Sequence, residues 1–287
     1  QAFHGRSGYT MSLTNSKPVQ TDYFTKFNWP RIDNPKIVFP ITEASLKDVA
    51  EREKAAIEQV KKALRDNPDD VCAIIIEPIQ SEGGDNHFRA EFLQALRTIA
   101  NDEEVMLIFD EVQNGVGLTG KFWAYQHFNV VPDILSFGKK MQTCGIIATN
   151  RVDEIEDNCF TTPGRINSTW GGNLADMVRA TKILQIIEKD KLVENAHIMG
   201  AYLLNKLSEL SQSKKISNIR GRGLQCAFDL PTTELRDELI KKALDNDLLI
   251  LAAGKNSIRV RPALVIEQHH IDEAIEILEK TLTQIGL

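Results

Sequence analysis

Short apolar runs and amphipathic stretches alternate through the first half of the chain. Apolar runs of strand length, bounded by turn residues, predict buried strands at Val71 to Ile76, Val105 to Phe109 and Asp133 to Phe137, and one more strand at Cys144 to Thr149. Between them, Thr42 to about Asn67 carries Leu46, Val49, Ala56, Val60 and Leu64 at helical spacing, and Asn67-Pro68 stops it. Arg89 to about Ala100 repeats the pattern with Phe92, Leu93, Leu96 and Ile99, and a short aromatic helix is expected around Trp123 to Phe128. Residues 1 to 40 have no sustained period and read as extended segments and loops, and 81 to 88 as a Gly-rich loop. Alternating strands and helices imply an α/β unit with a largely parallel sheet.

After Gly171-Gly172 the texture changes. Ala175 to Glu188 and Leu192 to Leu210 are long helical patterns, followed by a basic turn, Arg220-Gly221-Arg222-Gly223. Strands are expected at Leu224 to Asp229, Leu248 to Ala252 and Ser257 to Val260, with helices at Leu235 to Asn246 and Ile271 to Ile285. The division expected is a larger α/β part over 1–174 and a linking helix with a smaller α+β domain over 175–287.

Size and charge narrow the function class. The chain's 287 residues, 42% hydrophobic, suffice for one large core or two ordinary ones. A net charge of −6, from 34 Lys plus Arg against 40 Asp plus Glu, gives no support to nucleic acid or an anionic membrane as partner. The four cysteines, Cys72, Cys144, Cys159 and Cys226, form no C-x-x-C pair and read as reduced thiols of a cytoplasmic protein. No apolar run reaches the ~18 residues of a membrane span, and no signal peptide is recognisable. The opening at Gln1 rather than Met suggests a chain cut from something longer.

The candidate chemistry sits at strand ends. The run to Phe109 ends in Asp110-Glu111-Val112-Gln113, and the run to Phe137 ends in Gly138-Lys139-Lys140. In α/β sheets, ligands bind outside the carboxyl ends of the strands, so Asp110 and Lys139 are expected to face one site. A buried Asp needs a cationic partner. A pyridinium nitrogen supplies one, and a lysine amine condenses with an aldehyde, so the pair suits a pyridoxal 5'-phosphate enzyme. Other readings remain for the residues alone. Lys139 could be a solvated strand-end lysine or serve a Schiff-base lyase, and Asp110 could cap a helix or ligate a metal.

Several motifs in fixed order add to this. They are Phe3-His4-Gly5-Arg6, Glu77-Pro78-Ile79-Gln80, Ser81-Glu82-Gly83-Gly84-Asp85, Asp110-Glu111-Val112-Gln113, Phe137-Gly138-Lys139-Lys140, Asn167-Ser168-Thr169-Trp170-Gly171-Gly172-Asn173 and Arg259-Val260-Arg261-Pro262. Together they resemble the class III aminotransferases of pyridoxal phosphate fold type I, from Gln1 almost to the C-terminus. The Asn-Ser-Thr-Trp-Gly-Gly-Asn motif and Arg31-Ile32-Asp33-Asn34-Pro35 look more like the members acting on the ε-amine of L-lysine than those acting on 4-aminobutyrate.

The resemblance implies an α/β fold with pyridoxal 5'-phosphate as cofactor and L-lysine and 2-oxoglutarate as substrates. Lys139 would carry the Schiff base and shuttle the proton, with Lys140 as the alternative. Asp110 would pair with the pyridine nitrogen, Gln113 with the ring hydroxyl, and Phe3 would stack on the ring. His4 is read as supporting structure and Glu77 as an acid behind the site. Arg6 would bind a substrate carboxylate, since a guanidinium fork matches one bidentately. Arg261 would take the α-carboxylate of the keto acid. Glu82, on flexible Gly-flanked backbone, would neutralise Arg261 when lysine is bound and swing away afterwards. Thr169 would reach the phosphate of the neighbouring subunit's cofactor, implying a homodimer with shared sites.

Gln113, Arg6 and Phe3 have plainer readings as surface or core residues, and Glu82 with Arg261 as a static ion pair. The family's phosphate-binding turn precedes Phe-His-Gly-Arg, so it is expected upstream of Gln1. Two other functions therefore stay open: transfer from 4-aminobutyrate or another ω-amino acid, and a catalytically inactive fragment serving as a binding or assembly module.

Overall fold

The structure is a computed structural model that describes residues 1–15, 18–167, 169 and 171–287, with backbone alone at 18 and 19. In chain order the helices are α1 (Gly8–Leu13), α2 (Pro18–Thr21), α3 (Glu43–Asp66), α4 (Ala90–Asp102), α5 (Leu174–Lys189), α6 (Leu192–Leu210), α7 (Thr233–Asp245) and α8 (Gln268–Gln284). The strands are β1 (Ala73–Ile76), β2 (Ile79–Gln80), β3 (Asn86–His87), β4 (Met106–Asp110), β5 (Ile134–Phe137), β6 (Gly145–Ala148), β7 (Ser217–Arg222), β8 (Gln225–Asp229), β9 (Leu251–Ala253) and β10 (Ser257–Val260).

The first sheet has the order β1-β4-β5-β6. β1, β4 and β5 run parallel, and β6 returns antiparallel to β5. The buried strand β4 places Leu107 and Phe109 at 0% exposure, where they join Ala56 and Val60 of α3 and Phe92, Leu93 and Leu96 of α4 in one core. Helix α3 starts where Thr42 accepts a hydrogen bond from the Ser45 amide at 3.1 Å and Ser45 returns the favour to the Thr42 amide at 2.8 Å. Val49, Ala56 and Val60 are buried as its periodicity predicts, whereas Leu46, in the first turn, is exposed and lies outside the core. Glu53, on the same helix, is buried because it pairs with Arg89, the N-cap residue of α4.

At the amino end of this sheet, Asp133 accepts hydrogen bonds from the Leu107 amide at 2.7 Å and from Arg97 Nη1 at 2.8 Å. That contact ties α4 to the sheet and leaves the carboxyl ends of β4 and β5 free for chemistry.

The second sheet is antiparallel throughout, in the order β7-β8-β10-β9. Its core gathers Phe228, Ile258, Leu207, Leu239 and Leu282 from β8, β10, α6, α7 and α8. The basic stretch 220–222, expected as a turn, is the end of β7, and the reversal falls at Gly223. Arg220 is 2% exposed and donates to Asp229 Oδ1 at 2.9 Å, Ser257 Oγ at 2.9 Å and the Asp85 carbonyl at 3.0 Å. Its positive charge is met by the buried Ser257 and Asp85 acceptors and by Asp229, so a basic residue sits inside the strand rather than in a turn.

Residues 1–40 also hold more structure than their lack of periodicity predicts, since α1 and α2 are too short to show a period. Gly223 has φ of +52°, and Gly200 of α6 packs so closely on it that a Cβ at 200 would overlap the Gly223 carbonyl. This backbone-to-backbone contact seats α6 on the β7–β8 turn.

Candidate active site

Asp110 is the last residue of β4 and only 8% exposed. Its register partner on β5 is Ser136, whose Oγ donates to Asp110 Oδ1 at 3.2 Å. The Val112 amide donates to the same oxygen at 3.1 Å. The other oxygen, Oδ2, lies 2.8 Å from Nδ1 of His4, a side chain only 3% exposed. His4 is held by its own backbone, whose amide donates to Thr14 Oγ1 at 3.0 Å, while Thr14 Oγ1 donates to the Gly5 carbonyl at 2.8 Å. Gly5 is required for this tight arc: its φ is +120°, and a Cβ there would meet Thr10 Oγ1 at 2.8 Å.

Because β4 and β5 are adjacent and parallel, residues just past Ser136 stand beside Asp110. Lys139, three residues on, opens a 3-10 turn with φ of +46° and is exposed. Lys140 points elsewhere: its Nζ donates to the Gln113 carbonyl at 2.7 Å. Burial, with Arg261 and Lys139 nearby, lowers the Lys140 amine from 10.5 to about 8. The two lysines thus have distinct environments: Lys140 is committed to a carbonyl, and Lys139, whose amine has no hydrogen bond or ion pair among the described residues, lines a cavity.

That cavity has a volume of about 600 Å³ and is lined by Lys139, Lys140, Gln113 and Arg261, with Ile183 and Ile187 of α5 on its apolar side. Arg261 Nη1 donates to Gln113 Oε1 at 2.6 Å, and Nη2 pairs with Asp85. Asp85 is 0% exposed, and its Oδ1 also accepts from Gln225 Nε2 at 2.7 Å. Glu82 does not contact Arg261 here: its Oε2 lies 3.0 Å from Nη1 of Arg259, two residues earlier on β10. The expected pairing of Glu82 with Arg261 is therefore replaced by two separate pairs, because Asp85, fixed at the back of the loop, already occupies Arg261.

Glu77 follows β1 and is 3% exposed. Its Oε1 accepts from the Phe3 amide at 2.9 Å and its Oε2 from the Ser81 amide at 3.0 Å. It thereby joins the Phe3-His4 segment to the start of the Glu82 loop. Burial raises its carboxyl from 4.5 to about 7, against the opposing pull of His4 and of the two amides. Burial likewise raises Glu111 to about 7, although the Ala124 and Tyr125 amides donate to it at 2.6 Å and 2.7 Å.

Phe3 is half-buried, with the Arg6 guanidinium 6.0 Å from its ring centre, and Arg6 itself is exposed. Thr169 is exposed, and its neighbours Ser168 and Trp170 in the Asn167–Asn173 motif lie outside the described residues. All four cysteines are free thiols. Among the described residues no helix is long and apolar enough to cross a membrane, and no cluster of metal-ligating side chains occurs.

The arrangement fits pyridoxal phosphate in its donor set: a buried, oriented carboxylate at one strand end and an uncommitted lysine amine at the next. His4, expected as supporting structure, holds Asp110, whereas the sequence assigned no role to Asp85, Gln225 or Arg259. A signal existed for Arg259, since residues two apart on a strand share a face and Arg-Val-Arg thus offers two guanidinium groups together.

The family model "Aminotransferase class-III" matches residues 1–282. The L-lysine-epsilon aminotransferase of Mycobacterium tuberculosis is 50% identical over 283 residues, which make up 98% of this chain and 62% of that protein. A 4-aminobutyrate aminotransferase of Emericella nidulans is 37% identical over 99% of this chain and 56% of its own length. The solved lysine aminotransferase of M. tuberculosis in its internal aldimine form superposes with a TM-score of 0.96 at 49% identity, covering 99% of this chain and 65% of that one. The chain thus spans somewhat under two thirds of these relatives. Motif order, strand-end geometry and the match from residue 1 to 282 converge: the chain belongs to the class III aminotransferases, with the α/β architecture of pyridoxal phosphate fold type I.

Proposed function

We propose that the protein is a pyridoxal phosphate-dependent aminotransferase that moves the ε-amino group of L-lysine to 2-oxoglutarate, giving 2-aminoadipate 6-semialdehyde and glutamate. The observation that carries this is the buried Asp110 carboxylate at the end of β4, with Lys139 beyond the end of the adjacent parallel strand. The lysine donor is favoured by the 50% identity to an L-lysine-epsilon aminotransferase against 37% for a 4-aminobutyrate enzyme.

When bound, pyridoxal phosphate supplies an aldehyde carbon and an electron-withdrawing ring. Asp110 would hold the ring nitrogen, Lys139 Nζ the aldehyde end, Phe3 a ring face and Gln113 the ring hydroxyl. Thr169 would reach the phosphate across a homodimer interface. His4 and Ser136 keep Asp110 oriented. Lys139 Nζ would take and return the proton at the reacting carbon, a task suited to an amine that has no other partner among the described residues. Arg6 and Arg261 bind substrate carboxylates, and Glu82 offsets the Arg261 charge when an amine-bearing chain is present. A division into a larger part over 1–174 and a linking helix with a smaller domain over 175–287 would put the cavity between the two, since Gln113 and Lys139 line it from the first and Ile183 and Arg261 from the second. A cytoplasmic location accords with the free thiols.

The test is a donor panel. With pyridoxal phosphate and 2-oxoglutarate present, glutamate formation is followed with L-lysine, 4-aminobutyrate and other ω-amino acids, with Lys139→Ala as control. Preference for L-lysine by kcat/KM supports the proposal. Preference for 4-aminobutyrate moves the protein to the second reading, which the Emericella nidulans relative keeps in view.

A further inference from the structure

Arg259 and Arg261 stand two residues apart on the same extended run, so their side chains leave one face about 7 Å apart. Two carboxylates meet them, and the two differ in freedom. Asp85 is 0% exposed and its Oδ1 is also bound by Gln225 at 2.7 Å, which makes it a fixed counter-ion for Arg261. Glu82 has a side chain 30% exposed, while its main chain is pinned by the Gly254 amide, which donates to the Glu82 carbonyl at 2.9 Å. A pinned backbone with a loose side chain is the construction of a pivot. The Glu82 carboxylate sits on Arg259 at 3.0 Å, and the exposed side of Arg261 faces the cavity.

We propose that Arg259 is a specificity-determining residue: it holds Glu82 away from Arg261 and so keeps Arg261 able to receive a carboxylate of a dicarboxylate substrate. The proposal rests on the reading of Arg261 as a carboxylate-binding residue given above. The physical basis is competition. Arg259 on β10 and Arg261 just past its end are two guanidinium groups within reach of one side chain that is free to move, and partly exposed ion pairs are weak enough to exchange. While Glu82 is on Arg259, the carboxylate paired with Arg261 is Asp85, Gln113 takes Nη1, and the guanidinium keeps positive charge to attract a second anion. With Glu82 moved to Arg261, that cation meets two carboxylates, and an incoming dicarboxylate is repelled. Arg259 thus sets the resting balance without touching substrate, which makes it a positioning residue for Glu82.

The test is calorimetric binding of glutarate, an unreactive five-carbon dicarboxylate, to the intact protein with its cofactor bound. Arg259→Gln is expected to weaken glutarate about tenfold, because Glu82 transfers to Arg261. Arg259→Lys keeps the charge and should stay within about threefold of the parent. The double variant Arg259→Gln, Glu82→Gln should recover to within about threefold, since the competing carboxylate is gone.

A merely structural Arg259 predicts no recovery in the double variant, and that result, or unchanged affinity in Arg259→Gln, overturns the proposal. Arg261→Gln separates the two levels of the argument. If glutarate binding survives it, the carboxylate-site reading fails together with the proposal. If binding is lost there but unaffected in Arg259→Gln, the Arg259 proposal alone fails.

Discussion

Nδ1 of His4 lies 2.8 Å from Oδ2 of Asp110, so a residue near the start of the chain fixes the carboxylate at the end of the central strand β4. A buried carboxylate oxygen left without its donor costs stability. His4→Leu is therefore expected to destabilise the protein by about 1–3 kcal/mol in urea denaturation. His4→Asn, which retains an amide donor, should regain part of that. An unfolding midpoint for His4→Leu equal to the parent would show that the contact carries no load.

Lys139 and Lys140 are adjacent in sequence but differ in commitment, since only Lys140 donates to the Gln113 carbonyl, at 2.7 Å. Lys139→Ala should remove the visible absorbance band of bound pyridoxal phosphate and lower turnover by about 10²–10⁴-fold. Lys140→Ala should keep the band and cost about 1 kcal/mol of stability through the lost hydrogen bond. Loss of the band in Lys140→Ala with its retention in Lys139→Ala would reverse the assignment.

Glu77 gives a pH dependence whose sign is fixed. Burial raises its carboxyl in the folded protein from 4.5 to about 7. Between these values the folded protein holds a proton that the unfolded chain has released, so stability from this group is full below pH 4.5 and is lost as pH rises through about 7. The stability advantage of the parent over Glu77→Gln should accordingly shrink between pH 5 and pH 8, as read by chemical denaturation at ~0.5-unit steps. A difference independent of pH would contradict the protonated state of Glu77.

Gly200 and Gly223 make a backbone-to-backbone contact in which no Cβ fits. Gly200→Ala should separate α6 from the β7–β8 turn and destabilise the protein by about 1–3 kcal/mol or more, measured by thermal unfolding. An Ala variant as stable as the parent would mean that the turn yields without cost.

Local physics made much of the molecule legible in the sequence. The apolar runs before Asp110 and Gly138 are strands, and the first puts Leu107 and Phe109 wholly in the core while the second buries Leu135. The stripe of α3, the Thr42 start and the Asn67 stop depend on residues within a turn of one another, so they too could be read directly. The family resemblance rested on the same motifs, and the match over residues 1–282 agrees with it.

Tertiary structure alone decided which charges meet. Glu82 was expected on Arg261, and the fold gives it Arg259 while assigning Arg261 to Asp85 and Gln113. Arg220 reads as a basic turn residue, yet it is buried between the 84–85 loop and the second sheet. His4 bonds to a residue 106 positions away. Periodicity and turn chemistry report interactions between neighbours in the chain, where geometry is set by φ and ψ. Ion pairs and buried hydrogen bonds depend on distances of a few ångströms between segments whose separation is fixed only when both cores have packed. The sequence therefore determined the strands, the helices and the residue types of the site, and packing determined the partner of each.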